Sequence, residues 1–341
     1  MGRDSRKKRR SKKKWKTIAI FIAFEFIFTA VTAPFILLYG PFENAKRTYV
    51  GAAMTSFSHQ WMATTFLSDE KINEILNSNI EDTNTNHKNT NHKNTNIKTN
   101  VNLPTKHDNS IELYSFENFK YSGYYIVVKD PTRVKIGVSK YLGEEGQTTS
   151  EIAREYNAVA AVNGGAFTDK SSTAQWTGNG GTPAGIVISE GKLVYKDVPD
   201  DEKIELVGIT KEGKMIAGMY SFNNLKELNV KEAVSFGPVL VKEGEPTPMK
   251  GDGGWGVAPR TAMGQRADGS IVMLVIDGRS LTSGGATLKE LQEVLLNTCN
   301  VVTAINLDGG KSTTMYLNGK VINNPASNVG ERSIPSAIIV K

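Results

Sequence analysis

The sequence predicts an α+β fold: a mixed, largely antiparallel sheet with a few helices, forming one large domain behind an N-terminal transmembrane helix. Three observations lead there. Short β-branched runs outnumber helical patterns along the C-terminal two thirds, and most are joined by hairpin turn pairs instead of helical crossovers. A long apolar run follows a basic tail at the N-terminus.

The first sixteen residues carry ten Lys or Arg and one acid, Asp4, so this tail contributes about +9 to a chain whose net charge is +6, and the remainder is slightly acidic. The basic pI is therefore a property of the tail, and nucleic acid is not an expected partner. Thr17 to Phe42 is almost continuously apolar, with Glu25 its only charge. At ~1.5 Å per residue it can cross a ~30 Å hydrocarbon core. It exceeds the h-region of a cleaved signal peptide and ends in no small-x-small site, which favours an uncleaved single-pass anchor. The flanking cations predict a cytoplasmic N-terminus in the cell membrane and an extracellular main domain.

Residues 43–76 are expected to form a stalk, with Trp61, Met62, Phe66, Ile72 and Ile75 at near-helical spacing in one amphipathic helix from Ser56 to Leu76. Residues 77–110 are dominated by Asn, Thr, Lys and His and read as a disordered spacer, too polar to offset the entropy of ordering. His87 and His92 lie in this tract, and with His59 and His107 they are all the histidines of the chain. The domain at 111–341 therefore has none. A Ser-His-Asp triad, a Cys-His dyad and a His-ligated zinc are all excluded from it by composition. With Cys299 the only cysteine, no intrachain disulfide can form.

Within the domain, strands are expected at Tyr124–Val128, Val134–Val138, Ala158–Val162, Gly185–Ser189, Lys192–Tyr195, Ile204–Val207, Met215–Ala217, Ala233–Val241, Ile271–Ile276, Val301–Ile305, Thr313–Leu317 and Ser336–Val340. Glu190-Gly191, Glu212-Gly213, Asp268-Gly269 and Asn318-Gly319 supply hairpin turns. Thr148 with Glu151, and Thr287 with Glu290, predict capping boxes for helices over Ser150–Tyr156 and Leu288–Asn297.

Three apolar runs end in a polar residue followed by glycine: Asn163-Gly164-Gly165, Asp277-Gly278-Arg279 and Asp308-Gly309-Gly310. One such pair is an ordinary turn, but three after β-branched runs suggest strand ends delivering polar groups to one site, with glycines admitting a ligand closely. Arg260, after Pro259, and Arg279 add two guanidinium forks suited to phosphate or carboxylate. Asp308 to Thr314 resembles a small-residue anion nest offering backbone N–H groups, but it lacks Walker A spacing.

Ala161-Val162-Asn163-Gly164-Gly165-Ala166-Phe167, Pro259-Arg260-Thr261-Ala262-Met263-Gly264, Val275-Ile276-Asp277-Gly278-Arg279 and Asn306-Leu307-Asp308-Gly309-Gly310-Lys311-Ser312-Thr313, in that order, resemble the motif set of the phosphodiester glycosidase family. The closing segment from Asn324-Pro325 through Glu331 to Pro335 fits as well, so the resemblance spans roughly Tyr124 to Lys341. It implies hydrolysis of sugar-1-phosphodiesters at the glycosidic C1–O bond, on envelope or exopolysaccharide glycans or a capped sugar phosphate.

Glycosidases generally act with carboxylates. The resemblance makes Asp308, Asp277 and Glu331 the catalytic candidates, without deciding which acts at C1. Arg260, Arg279, Asn163, Gly164, Gly165, Thr261, Asn306, Gly309, Gly310, Ser312 and Thr313 become candidates for substrate or phosphate binding, Asn163 and Asn306 either meeting sugar hydroxyls or holding a carboxylate in place. No cofactor is required, since phosphate is a good leaving group; a structural calcium or magnesium ion is compatible with carboxylates and carbonyls at glycine turns. Two other readings compete: a non-catalytic module binding carbohydrate or teichoic acid, and a metal-dependent phosphodiesterase cleaving P–O.

Overall fold

The computed structural model describes residues 3–54, 61–77, 101–104, 108–168, 180–280, 283–326 and 330–341, and the chain divides into two compact units, Met1–Ser78 and Asn79–Lys341. The first unit is helical: α1 Arg3–Tyr39, α2 Glu43–Met54, α3 Trp61–Thr64 and α4 Asp69–Asn77. Within α1, Ile18–Tyr39 is long and apolar enough to cross a membrane, and most of its large side chains are exposed, as a bilayer anchor or a signal sequence would have them. Leu38, Val50, Ala53, Ala63, Leu67, Ile72 and Ile75 pack into a small core of their own. The single stalk helix expected from Ser56 to Leu76 is instead two short helices over its described part. Ser68 Oγ accepts from Lys71 N–H at 3.3 Å, a cap that starts α4 afresh.

The histidines at 59, 87, 92 and 107, and residues 78–100 of the expected spacer, lie outside the described residues. The spacer's described part is ordered: Asn102 N–H donates to Ala267 O at 2.8 Å, on the main domain.

The second unit is built on three sheets. The first, seven-stranded, runs β1 (Ile111–Glu117), β2 (Ser122–Val128), β15 (Ile271–Ile276), β14 (Arg260–Arg266), β16 (Val301–Leu307), β12 (Val239–Lys242), β13 (Glu245–Pro246). The second, five-stranded, runs β18 (Lys320–Val321), β17 (Met315–Leu317), β4 (Ala160–Asn163), β19 (Ser336–Val340), β3 (Val134–Val138). The third, also five-stranded, runs β10 (Met215–Tyr220), β9 (Ile204–Thr210), β11 (Val230–Ser235), β7 (Ile186–Ser189), β8 (Lys192–Lys196). A two-stranded ribbon joins β5 (Phe167–Thr168) to β6 (Thr182–Pro183). Every pairing described is antiparallel.

Alternation along the strands explains the layering. Met273, Val275, Ile305 and Leu307 of the first sheet, Val162 and Ile338 of the second, and Val187 and Val207 of the third share one core. The opposite face of the first sheet packs under α7 (Leu288–Asn297). That of the second packs under α5 (Thr149–Glu155), and that of the third carries Leu225 of α6 (Phe222–Glu227). Both expected capping boxes form, on α5 and α7, and all four turn pairs close hairpins.

One expected strand is two. Ala233–Val241 divides at Gly237-Pro238 into β11 and β12, which belong to different sheets. Strand β14 was not expected, because it carries polar Thr261 and Gln265. Their burial is matched by partners: Gln265 donates to Gly213 O and Gly269 O and accepts from Met215 N–H, all within 2.9 Å.

Candidate functional site

Strand β14 lies between β15 and β16 and is antiparallel to both. The carboxyl ends of β15 and β16 therefore leave the sheet on the same edge, one on each side of Arg260. Two strand spacings separate them, about 10 Å. Asp277 follows the last residue of β15 and Asp308 the last residue of β16. Strand β4, from the second sheet, ends beside them at Asn163.

A continuous hydrogen-bond network joins these ends. Asn163, fully buried, accepts at Oδ1 from Thr261 Oγ1 at 2.7 Å and from Thr314 N–H at 3.2 Å, and donates from Nδ2 to Asp308 O at 2.6 Å. Thr261 Oγ1 also lies 3.3 Å from Thr313 Oγ1. Asn323 Nδ2 donates to Thr313 O at 3.1 Å and to Asp277 Oδ1 at 2.9 Å, while its own Oδ1 accepts from Met315 N–H. Asn324 N–H adds a second bond to Asp277 Oδ1 at 3.0 Å. Asp277 Oδ2 has no partner among the described residues. Burial raises the Asp277 pKa above the ordinary carboxylate value, and the bonds from Asn323 and Asn324 oppose the shift without cancelling it.

Arg260 is 3% exposed and pairs with no carboxylate among the described residues. Its Nε donates to Ala286 O at 2.9 Å, and its Nη2 to Gly256 O at 2.5 Å and Trp255 O at 3.3 Å. Desolvation, aided by the nearby Arg279 charge, lowers its pKa to about 10, so it stays cationic at neutral pH. Arg279 is exposed, adopts a positive φ of 57°, and lays its guanidinium against Gly310. Two cations thus stand close together beside the Asp277 and Asp308 turns.

Other expected residues serve differently. Gly164 and Gly165 are closed off from a ligand by protein: a Cβ would lie 2.7 Å from Ser336 O at the first and 2.7 Å from Ser235 O at the second. Five N–H groups of the expected nest are engaged internally, Gly309 on Asp308 Oδ1, Gly310 on Pro259 O, Ser312 on Gly309 O, Thr313 on Gly310 O and Thr314 on Asn163. Most of the nest is therefore spent on the protein itself, and the arginines are the charged groups left for an anion. Ser312 is buried and its Oγ has no hydrogen-bond partner among the described residues. Asn306, on β16, donates to Gly237 O at 2.8 Å, and its buried Oδ1 has no partner among the described residues.

Glu331 is engaged elsewhere. Its oxygens accept from Ser150 N–H and Ser150 Oγ at the start of α5, and no hydrogen bond ties it to the Asp277 network among the described residues. Asn323 was missed in the sequence; the one available signal was Asn323-Asn324-Pro325 just after a hairpin. Among the described residues no group of three or more His, Cys, Asp or Glu side chains is placed to hold a metal ion.

A family model described as phosphodiester glycosidase matches residues 156–341. A SPbeta prophage-derived uncharacterized protein of Bacillus subtilis is 28% identical over 229 residues, covering 62% of this chain and 31% of that protein. The N-acetylglucosamine-1-phosphodiester alpha-N-acetylglucosaminidase of Bos taurus is 28% identical over 196 residues, covering 52% of this chain and 35% of the relative. The chain thus spans about a third of the length of these curated relatives. The zebrafish N-acetylglucosamine-1-phosphodiester alpha-N-acetylglucosaminidase catalytic domain, solved in a form auto-inhibited by its pro-peptide, shares the fold with a TM-score of 0.56 at 22% identity, over 71% of this chain and 86% of that one.

Proposed function

The chain belongs to the phosphodiester glycosidase family, and from that premise we propose that it hydrolyses sugar-1-phosphodiesters at the glycosidic C1–O bond, outside the cytoplasm, on envelope or exopolysaccharide glycans. The observation that carries this reading is Arg260, a nearly buried guanidinium held only by backbone carbonyls. The Asp252 charge favours the cation only from a distance, with no ion pair among the described residues; burying a charge without a paired counterion is costly, and an anionic substrate offsets that cost. No described residue accepts from its Nη1, which leaves that donor for phosphate, with Arg279 beside it.

Asp277 is the carboxylate assigned to the sugar carbon. Asn323 and Asn324 anchor one oxygen and leave the other bare, which orients the group without quenching it. In the reaction the C1–O bond breaks, the oxygen of water ends on C1, and the bonding pair leaves with the phosphomonoester. The arginines stabilise that departing charge, so little protonation of the leaving group is needed. Asp308 flanks the same cleft, and Glu331 is assigned to holding α5. No cofactor enters this route, and a calcium or magnesium ion would be structural. The length and apolar character of Ile18–Tyr39 support a single-pass anchor, and the basic tail before it supports a cytoplasmic N-terminus.

The test incubates the full-length protein in mild detergent with N-acetylglucosamine-1-phospho-methylmannoside and UDP-N-acetylglucosamine in ¹⁸O-water, with and without EDTA. Free sugar carrying ¹⁸O, an unlabelled phosphomonoester and indifference to EDTA are expected. Label in the phosphate would establish P–O cleavage and overturn the proposal.

A further inference from the structure

We infer that Glu205, Phe236 and Trp255 form a pyranose-binding subsite at the edge of this cleft, with Glu205 Oε2 accepting from a sugar hydroxyl and the two rings bordering the sugar. The inference rests on the hydrolytic reading for its ligand class but on separate residues for its geometry.

Glu205 lies near the start of β9, in the third sheet, which supplies none of the groups described above. Its side chain shares a face with Val207 and so points toward the side where the three sheets meet. Oε1 accepts from Val239 N–H at 2.7 Å. Oε2 lies against Gly237, where any Cβ would collide with it, and accepts no hydrogen bond among the described residues. Gly237 O in turn accepts from Asn306 Nδ2, two residues before Asp308. The Phe236 ring meets the Trp255 ring edge-on, centroids 6.0 Å apart, and Trp255 O accepts from Arg260. One path of direct contacts therefore leads from the arginine to the aromatic pair, and the adjoining Gly237 leads to the spare carboxylate oxygen. Glu205, Phe236, Gly237 and Trp255 are all half-buried, so each keeps some exposed surface.

A carboxylate with a purely structural task looks different in the same sheet. Glu232 is 1% exposed, and both its oxygens are used, accepting from Ile136 N–H at 2.8 Å and Glu190 N–H at 3.2 Å with Lys135 Nζ 3.5 Å away. Among the described residues Glu205 has neither a cation nor a second donor. Partial burial disfavours its charged form, which a hydroxyl donor at Oε2 would relieve. Aromatic faces beside a lone acceptor suit a neutral polyhydroxylated ring, and a sugar linked to phosphate at C1 must extend away from whatever binds the phosphate.

The experiment titrates N-acetylglucosamine, glucose, galactose and mannose into full-length wild type, Glu205→Gln, Glu205→Ala and, as control, Glu232→Gln, followed by saturation-transfer NMR with melting temperatures in parallel. Glu205→Gln keeps an acceptor for Val239 and turns an amide NH2 outward. At least a tenfold loss of affinity for the bound sugar at unchanged melting temperature is expected, while Glu232→Gln leaves affinity intact. Equal affinity in wild type and Glu205→Gln, or binding of none of the four sugars by wild type, would overturn the subsite. Turnover separates the two claims. Hydrolysis with an unchanged KM in Glu205→Gln removes the subsite and leaves the activity, whereas sugar binding without hydrolysis removes the activity and leaves the subsite.

Discussion

Replacing Asn163 by aspartate changes one NH2 to an oxygen at the point where the first and second sheets are tied together. The acceptor bonds from Thr261 Oγ1 and Thr314 N–H survive, but the donor to Asp308 O becomes a carboxylate oxygen facing a carbonyl across 2.6 Å, at a residue with no exposed surface. Losing that bond costs about 1 kcal/mol, and burying the new carboxylate oxygen at position 163 without a donor adds about 1–3 kcal/mol. The sum, about 2–4 kcal/mol, corresponds to a melting temperature lower by roughly 4–16 °C in a domain of this size. The pH dependence follows from the same contact. The introduced carboxyl can donate to Asp308 O only when protonated, so its folded pKa lies above the unfolded value near ~3.9. A raised acid pKa means stability is lost as pH rises through that window and stays lost above it. The gap between variant and wild type should therefore be full at pH 7.5 and shrink toward pH 4. The assay is differential scanning fluorimetry across that range. A variant as stable as wild type at pH 7.5, or a gap indifferent to pH, would refute the tie between Asn163 and Asp308.

Asp277→Asn should lower kcat at least 100-fold, yet melt at or above wild type at pH 7.5, because burial already disfavours the charged carboxylate there; with its folded pKa raised, the wild-type deficit fades as pH falls toward ~4, and an unstable variant would count against the assignment. Arg260→Lys should cut kcat/KM about 10²–10³-fold, since an ammonium cannot reproduce a fork held by three carbonyls. Inorganic phosphate should raise the melting temperature of wild type and not of Arg260→Lys. Glu232→Leu should destabilise by about 2–5 kcal/mol in a thermal melt, since it strands the Ile136 and Glu190 N–H groups.

What the sequence made legible was local. Hairpin turns such as Asn318-Gly319, both with positive φ, and the Thr148 and Thr287 capping boxes are decided within a few residues. The Ser221 capping box escaped because Asn224 stands where Glu or Gln is usual. Strand β1 escaped because its middle, Glu112 to Ser115, has no clean alternation of buried and exposed positions at the sheet edge. The site was legible as strand ends and arginines. Its wiring was not, because Asn163 meets Thr261 and Asp308 across 98 and 145 residues, and no local pattern encodes such pairs.

The glycines show the same division between place and cause. Asn-Gly and Asp-Gly turns mark the right location, but the lack of a side chain serves the protein more than the ligand. At Gly309, whose φ of −123° any residue can adopt, a Cβ would sit 2.8 Å from Pro259 O. At Gly278 it would sit 2.9 Å from Pro259 N, and at Gly164 2.7 Å from Ser336 O. These glycines let neighbouring strand ends within each sheet approach closely, and that sets the positions from which Asn163, Thr261 and Asp308 bond. Gly309→Ala tests this directly. If the glycine serves packing, the variant loses about 1–3 kcal/mol of stability, and kcat falls through displacement of Asp308 while KM changes little. If it serves ligand approach, stability is retained and KM rises. The first outcome supports a site assembled by backbone compression, and the second returns the glycine to the substrate.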